Sequence, residues 1–275
     1  MILASNQKWK ALKTTFKKYY DQPRTKEEAL AAGWKVFSDC GKKKFAGYRY
    51  YNPSDNSIIL LFDSAGYIAG TQSVLSLAYV EKSTLENNPA YQLDSMPTGP
   101  LGSMNAYFST MYFVDPNLIC KGGRSRSEWE SQGTGDRLIL QYGKTPSIRI
   151  DIFTPGKGVR EGVPSTFYDH HCLPGMGDHL IQYNYTPDQD CSSVLPVQVL
   201  YSNKNLIGFV WQHSAMLPGD RWEHPNKKVL PLFIDRQPKC LNDLVDNPGL
   251  STMHHYFHDN PKLITCPDKK GKRRQ

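Results

Sequence analysis

The sequence predicts a mainly β, α+β protein: antiparallel sheets built from hairpins, an N-terminal helix and short peripheral helices. Three observations carry that expectation. Aromatic residues make up 12% of the 275 positions, with 16 tyrosines among them, and aromatic side chains favour pleated, half-buried strands. Short apolar runs recur between turn formers drawn from 21 Gly and 19 Pro, which is the pattern of successive hairpins. The alternation of strand and long helix that a parallel sheet needs is not visible.

The elements follow in order. Residues 7–33 read as helical. Trp9, Leu12, Phe16 and Tyr19 recur at helical spacing, with Lys8, Lys10, Lys13, Lys17 and Lys18 turned outward. Lys26 to Ala32 is built from strong helix formers, and Gly33 suits the position just past a helix end. From Gly47 the pattern changes to strand and turn. Ser57 to Phe62, the turn Asp63-Ser64-Ala65-Gly66, and Tyr67 to Leu77 form a hairpin signal. Residues 87–103, rich in Pro and Gly, read as a loop, and Asn105 to Val114 as an aromatic strand. Residues 122–135 read as a polar surface loop, and 137–141 and 148–153 as short strands. A strand over 165–172 puts Tyr168, His170 and Cys172 on one face.

A second hairpin runs from Val197 through the turn Ser202-Asn203-Lys204-Asn205 to Gln212. Its pattern of apolar, aromatic, four turn residues, large apolar and Ile matches Leu61 to Ile68. Any two hairpins with four-residue turns share such a pattern. The match nonetheless suggests two related β halves, about 40–155 and 160–268, inside one globular domain, 1–268, with a basic disordered tail at 269–275. No solenoid or propeller period is present.

The formal net charge is +7, and five of those charges sit in Lys269, Lys270, Lys272, Arg273 and Arg274. The body is nearly neutral and lacks the basic stripe with interleaved aromatics that a nucleic-acid protein would show, so nucleic acid is not an expected partner. No apolar run is long enough for a transmembrane helix. A basic N-terminal helix and tail on an anionic membrane is the weakest of the functional options. GxGxxG, GxxxxGK[ST], HExxH and GxSxG are all absent, so dinucleotide, P-loop, zincin and α/β-hydrolase readings lose their usual support.

Cys40, Cys120, Cys172, Cys191, Cys240 and Cys266 include no CxxC pair. An even count in an aromatic, turn-rich chain points to three disulfides and an oxidising compartment, with free buried thiols as the alternative. Loop length alone favours Cys40–Cys120, Cys172–Cys191 and Cys240–Cys266. Asn184-Tyr185-Thr186 is a glycosylation sequon weakened by Pro187. Met1 to Ser5 lacks a basic n-region and a long apolar stretch. The cysteines therefore favour a secreted protein whose leader is absent or removed.

All eight histidines fall between His170 and His258, and residues 1–169 contain none. Several imidazoles together suit copper, zinc, iron or nickel. The preferred ligands of a divalent ion, copper or zinc, are His170, His179, His213 and His254, with His258 in reserve. His213 ends the stripe Ile207, Phe209, Trp211, and His254 shares a face with His258. Glu223 and His224 are the candidate acid–base pair, and Tyr168 and Trp211 the candidate apolar wall of a ligand pocket. Asp188-Gln189-Asp190 and Asp243, Asp246 and Asn247 lack the closing Glu of a calcium loop.

Two functions follow as expectations. One is a secreted, metal-dependent oxidoreductase or hydrolase acting on a small molecule. The other is a secreted β-rich binding protein for a small apolar ligand or a glycan.

Overall fold

The computed structural model describes residues 8–41, 44–98, 102–155, 166–182, 188, 190–191, 194–203, 205–234 and 237–266. The expected basic tail and the Asn184 sequon lie outside the described residues.

Fifteen strands form two antiparallel sheets. The chain opens with β1 (Lys13–Thr14), β2 (Tyr20–Asp21) and α1 (Lys26–Ala31), then β3 (Lys35–Ser38), β4 (Tyr48–Asn52), β5 (Asp55–Phe62) and β6 (Ile68–Ser76). It continues through α2 (Lys82–Leu85), β7 (Gln92–Pro97), β8 (Ser103–Tyr112), α3 (Pro116–Ile119), α4 (Arg126–Gln132), β9 (Leu138–Gln141) and β10 (Arg149–Phe153). The later part holds β11 (Tyr168–Leu173), β12 (Gly177–Ile181), β13 (Val197–Ser202), β14 (Asn205–His213), α5 (Leu230–Phe233), α6 (Lys239–Asp246) and β15 (Ser251–Tyr256). The first sheet runs β10-β9-β8-β6-β5-β4-β3, with β7 also paired to β8, and the second runs β11-β12-β13-β14-β15-β1-β2.

Three local expectations are corrected. The helix expected over 7–33 shrinks to α1, whose start is fixed by a capping box between Thr25 and Glu28. The residues before it are extended: Lys13 and Thr14 pair with Tyr256 and His255. Trp9 stacks on Phe257 at 4.0 Å. Burying those aromatics between sheets outweighs a weak helical pattern that includes two consecutive β-branched residues, Thr14 and Thr15. The stretch expected as a loop at 87–103 contains β7, an edge strand in register with β8 from Gln92↔Phe108 to Pro97↔Ser103. The loop expected at 122–135 contains α4, capped by Ser125 and Glu128. There the buried Arg124 guanidinium meets the wholly buried Asp63 carboxylate at 3.3 Å and donates to the Gly133 carbonyl at 2.9 Å. That pairing ties the segment to the β5–β6 turn.

The two sheets pack face to face through one shared core that includes Phe62, Phe113, Phe209, Trp211, Met253 and Phe257. Phe113 and Phe257 meet edge to face at 5.2 Å. Each sheet also has an apolar cluster on its outer face: Leu61, Phe108 and Tyr112 belong to one, Leu200, Val210 and Tyr256 to the other. Strand alternation therefore sends successive residues of β15 to opposite environments.

All six cysteines are paired, as Cys40–Cys120, Cys172–Cys266 and Cys191–Cys240. The first pairing is the one expected from loop length. The other two differ, because the sheet brings the end of β11 against the segment that follows β15, and α6 against residue 191.

Gly208 faces β15 at a point where a β-carbon would come within 2.0 Å of the His255 carbonyl oxygen. Backbone cannot retreat there without breaking the β14–β15 ladder. Gly208→Ala is expected to lower the unfolding free energy by about 1–3 kcal/mol or more, measured by urea denaturation. An unchanged midpoint would contradict this packing.

Candidate functional site

The site is built by β15, β12 and two crossing segments. Glu223 forms an isolated antiparallel bridge with Thr252 of β15, with Glu223 N donating to the Thr252 carbonyl at 2.8 Å. This bridge presents the Glu223 carboxylate to its neighbours on the outer face. Oε2 lies 2.5 Å from His254 Nδ1 and accepts from Thr252 Oγ1 at 2.9 Å. Oε1 accepts from the Phe16 amide at 2.6 Å. Three donors on one carboxylate fix its position, and the contact at Nδ1 makes Nε2 the basic nitrogen of neutral His254. That Nε2 is buried and has no hydrogen-bond partner among the described residues.

His179 of β12 stands beside it, the two rings edge to face with centroids 5.9 Å apart. Its Nδ1 is likewise buried without a partner among the described residues. Burial, reinforced by the neighbouring His254 and His170 imidazoles and opposed by backbone contacts at His171 and Gly177, pushes His179 down to about 3. Phe16 covers the pair, its ring 6.0 Å from His254, and Tyr256 stacks on His254 at 5.8 Å. The covering turn is strained: Thr15, Lys17 and Tyr19 have φ of 70°, 65° and 49°. Left-handed backbone at non-glycine residues costs roughly 1–2 kcal/mol each. Thr15 N to the His254 carbonyl (2.9 Å) and Thr15 Oγ1 to the Arg221 carbonyl (3.1 Å) hold the turn down.

The structure therefore brings together His179, His254 and Glu223, with the buried His170 close enough to act electrostatically on His179. His213 does not join them. It lies on the opposite face, between the sheets, with Nε2 2.9 Å from Ser73 Oγ and Nδ1 3.1 Å from Tyr91 Oη. A register shift between Leu200 and Tyr201 separates Ile207 from the face that Phe209, Trp211 and His213 share. His255 also faces the core, stacked on Phe209 at 4.5 Å. His224 is exposed, and its Nδ1 lies 3.2 Å from Ser251 Oγ, so Glu223 serves His254 and not its sequence neighbour. His258 follows β15, its Nδ1 accepting from the Asn260 amide. Tyr168 is exposed at the sheet edge while Trp211 is wholly buried in the core, so they share no pocket wall. Among the described residues, no three His, Cys, Asp or Glu side chains are grouped to hold a metal ion. The same limit applies to the acidic stretches considered for calcium.

The residues missed from sequence are Phe16, Thr252 and the Glu223–His254 partnership. The last spans 31 positions, and nothing local in the sequence marks it.

Two clefts are of ligand size, and only the first adjoins this site. One, about 810 Å³, is lined by Tyr20, Asp55, Tyr79, Asp220, Arg221 and Trp222, and so shares the segment that delivers Glu223. The other, about 760 Å³, is walled by Tyr91, Tyr107 and Tyr142 with Lys44, Lys82 and Lys144 at its margin. No protein-family model, curated protein or solved structure matches the chain.

His179, His213 and His255 are each held near 3 by burial. The unfolded chain takes up these protons near the ordinary value of about 6.5, the folded chain only near 3. Folded stability is thus full above about pH 6.5 and is lost as pH falls through that window. Each group contributes up to about 1.4 kcal/mol per pH unit. Calorimetry should show the melting temperature falling steadily from pH 6 to pH 4. A melting temperature that holds or rises over that range would contradict the buried neutral assignment.

Proposed function

We propose that the protein is a secreted, disulfide-stabilised acid–base enzyme of the hydrolase or transferase type. In this reading His254 is the general base, Glu223 is the positioning carboxylate and His179 is a neutral imidazole partner. The observation that carries it is the 2.5 Å contact from Glu223 to His254 Nδ1, opposite a buried Nε2 that has no partner among the described residues. A carboxylate on one imidazole nitrogen orients the ring and stabilises the cation formed when the other nitrogen takes a proton. Three disulfides with no free cysteine support an oxidising compartment.

Substrate would enter by displacement of the strained 15–19 turn. Lys17 and Lys18 on that turn favour an anionic substrate, and the 810 Å³ cleft alongside it would seat the remainder of the molecule. The copper or zinc ligand set expected from the histidine count is not assembled among the described residues, and His213 faces away from the other histidines. The catalytic reading therefore rests on proton transfer by these side chains.

A second reading has its own observation. The tyrosine-walled cleft matches the apolar lining of a small-ligand or glycan site, and the protein would then be a carrier.

Chromogenic carboxyl esters, phosphodiesters and glycosides separate the two. Turnover of one class is expected, with His254→Ala lowering kcat by about 10²–10⁴-fold. Glu223→Gln should act in the same direction while leaving the melting curve near parental. Turnover that survives His254→Ala would overturn the catalytic role. No turnover, with a small organic ligand retained through purification, would favour the carrier.

A further inference from the structure

The strand orders of the two sheets are the same once the second is read from its other edge: β10-β9-β8-β6-β5-β4-β3 against β2-β1-β15-β14-β13-β12-β11. The registers agree as well. Arg49↔Leu61, Leu61↔Gly70 and Gly70↔Tyr112 in the first sheet match His179↔Leu200, Leu200↔Gly208 and Gly208↔Tyr256 in the second. Both central hairpins carry a register shift one residue later, at Leu61/Phe62 and at Leu200/Tyr201. Tyr112↔Ile139 corresponds to Tyr256↔Lys13, so β1 stands where β9 stands. β7 beside β8 corresponds to the Glu223 segment beside β15.

The constraints repeat with the pairings. Gly47 and Gly177 are both left-handed, at φ 105° and 90°, and abut the carbonyls of Phe62 and Tyr201. Gly70 and Gly208 each leave no room toward the strand that follows: a β-carbon would come within 2.4 Å of the Met111 carbonyl oxygen in one and 2.0 Å of that of His255 in the other. Phe113 N donates to Ala69 and Phe257 N to Ile207, both at 2.8 Å. Cys40–Cys120 and Cys172–Cys266 join the same two places in each half. The sequence keeps a trace where the registers coincide: Tyr112-Phe113 against Tyr256-Phe257. By the same register His254 and His255 stand where Thr110 and Met111 stand.

We infer that the chain is a circularly permuted tandem duplication, and that the histidine site arose by substitution at duplicated positions of one copy, His254 standing where Thr110 stands and His179 where Arg49 stands. Linking the two ends and opening the chain between β10 and β11 would give two contiguous units, the seven strands β11 to β15 with β1 and β2, then the eight strands β3 to β10, in which β7 is the additional one. The duplicated positions also show what changed at the site. In the first sheet Arg49 Nε donates to Gln72 Oε1 at 2.8 Å, and Gln72 Nε2 to Thr110 Oγ1 at 2.8 Å, while Arg49 Nη1 meets Asp94 at 2.6 Å. That is a hydrogen-bonded chain across three strands, anchored by an acid on a fourth. By register, His179, Val210 and His254 take the places of Arg49, Gln72 and Thr110, and Glu223 serves in the region of Asp94. A charged guanidinium is thus replaced by the neutral His179 imidazole, and a threonine hydroxyl by the His254 imidazole. This assignment of the functional copy rests on the acid–base reading above, whereas the duplication does not.

The test is the permuted full chain, residue 275 joined to residue 1 and new ends placed between residues 156 and 165, made with a direct join and with a Gly/Ser-lengthened join. The expected result is a single cooperative melt within about 8 °C of the parent, with peptide mapping recovering all three native disulfides. Scrambled disulfides or no cooperative melt with both joins would overturn the duplication. Placing the first copy's residue at the duplicated position, His254→Thr, tests the correspondence within the site. The register of the first copy, where Thr110 stands, predicts a folded protein with intact disulfides and no turnover of the chromogenic ester, phosphodiester or glycoside the parent accepts. An unfolded His254→Thr variant beside a folded permutant would overturn that correspondence and leave the duplication standing. A folded His254→Thr variant that keeps parental turnover would instead refute the acid–base reading.

Discussion

The rest of the structure depends on the pairing of β15 with neighbours on both sides. It takes β14 along one edge and β1 along the other, and it accepts Glu223 through a single bridge at Thr252. A strand held on both edges cannot slip by one residue without exchanging its faces. His254 is therefore committed to the outer face and His255 to the core, although they are adjacent in the chain. The same pairing carries the N-terminal segment across the sheet and sets Phe16 over the imidazole it covers.

That arrangement concentrates polar groups where water is excluded. A carboxylate with three donors is well compensated, and a hydrogen bond to a charged acceptor in such surroundings is stronger than one in water. The imidazole nitrogens beyond it are not compensated, and leaving a buried nitrogen unpaired costs roughly 1–3 kcal/mol. The covering turn adds left-handed backbone at three non-glycine residues. Unpaired polar atoms and backbone strain coincide within a few residues of each other here, and such coincidence is characteristic of functional sites. The contrast with His213 is instructive: it is equally buried, but both its nitrogens are partnered, which is what a structural histidine requires.

Much of the β architecture was legible in sequence because hairpins are local. The runs around Asp63–Gly66 and Ser202–Asn205 carry their turn chemistry within a few residues. The disulfide count was equally readable, whereas two of the three partnerships were not, since they follow from which strand edges meet. The N-terminal segment misled because Trp9, Leu12, Phe16 and Tyr19 satisfy a helical stripe. Their real partners, Phe257 and Tyr256 among them, lie more than two hundred residues away. The histidine cluster drew attention to the correct half of the chain. It could not separate His254 from His213, because a register shift inside a hairpin reassigns faces without leaving a mark in composition.

The central claim is that Glu223 fixes His254 as the Nδ1–H tautomer with a basic Nε2. Long-range proton–nitrogen correlation NMR on imidazole-labelled protein reads this directly. The account predicts a protonated Nδ1 and a bare Nε2 for the neutral His254 ring, with the preference lost in Glu223→Gln. A protonated Nε2, or the same tautomer with and without the Glu223 carboxylate, would contradict it.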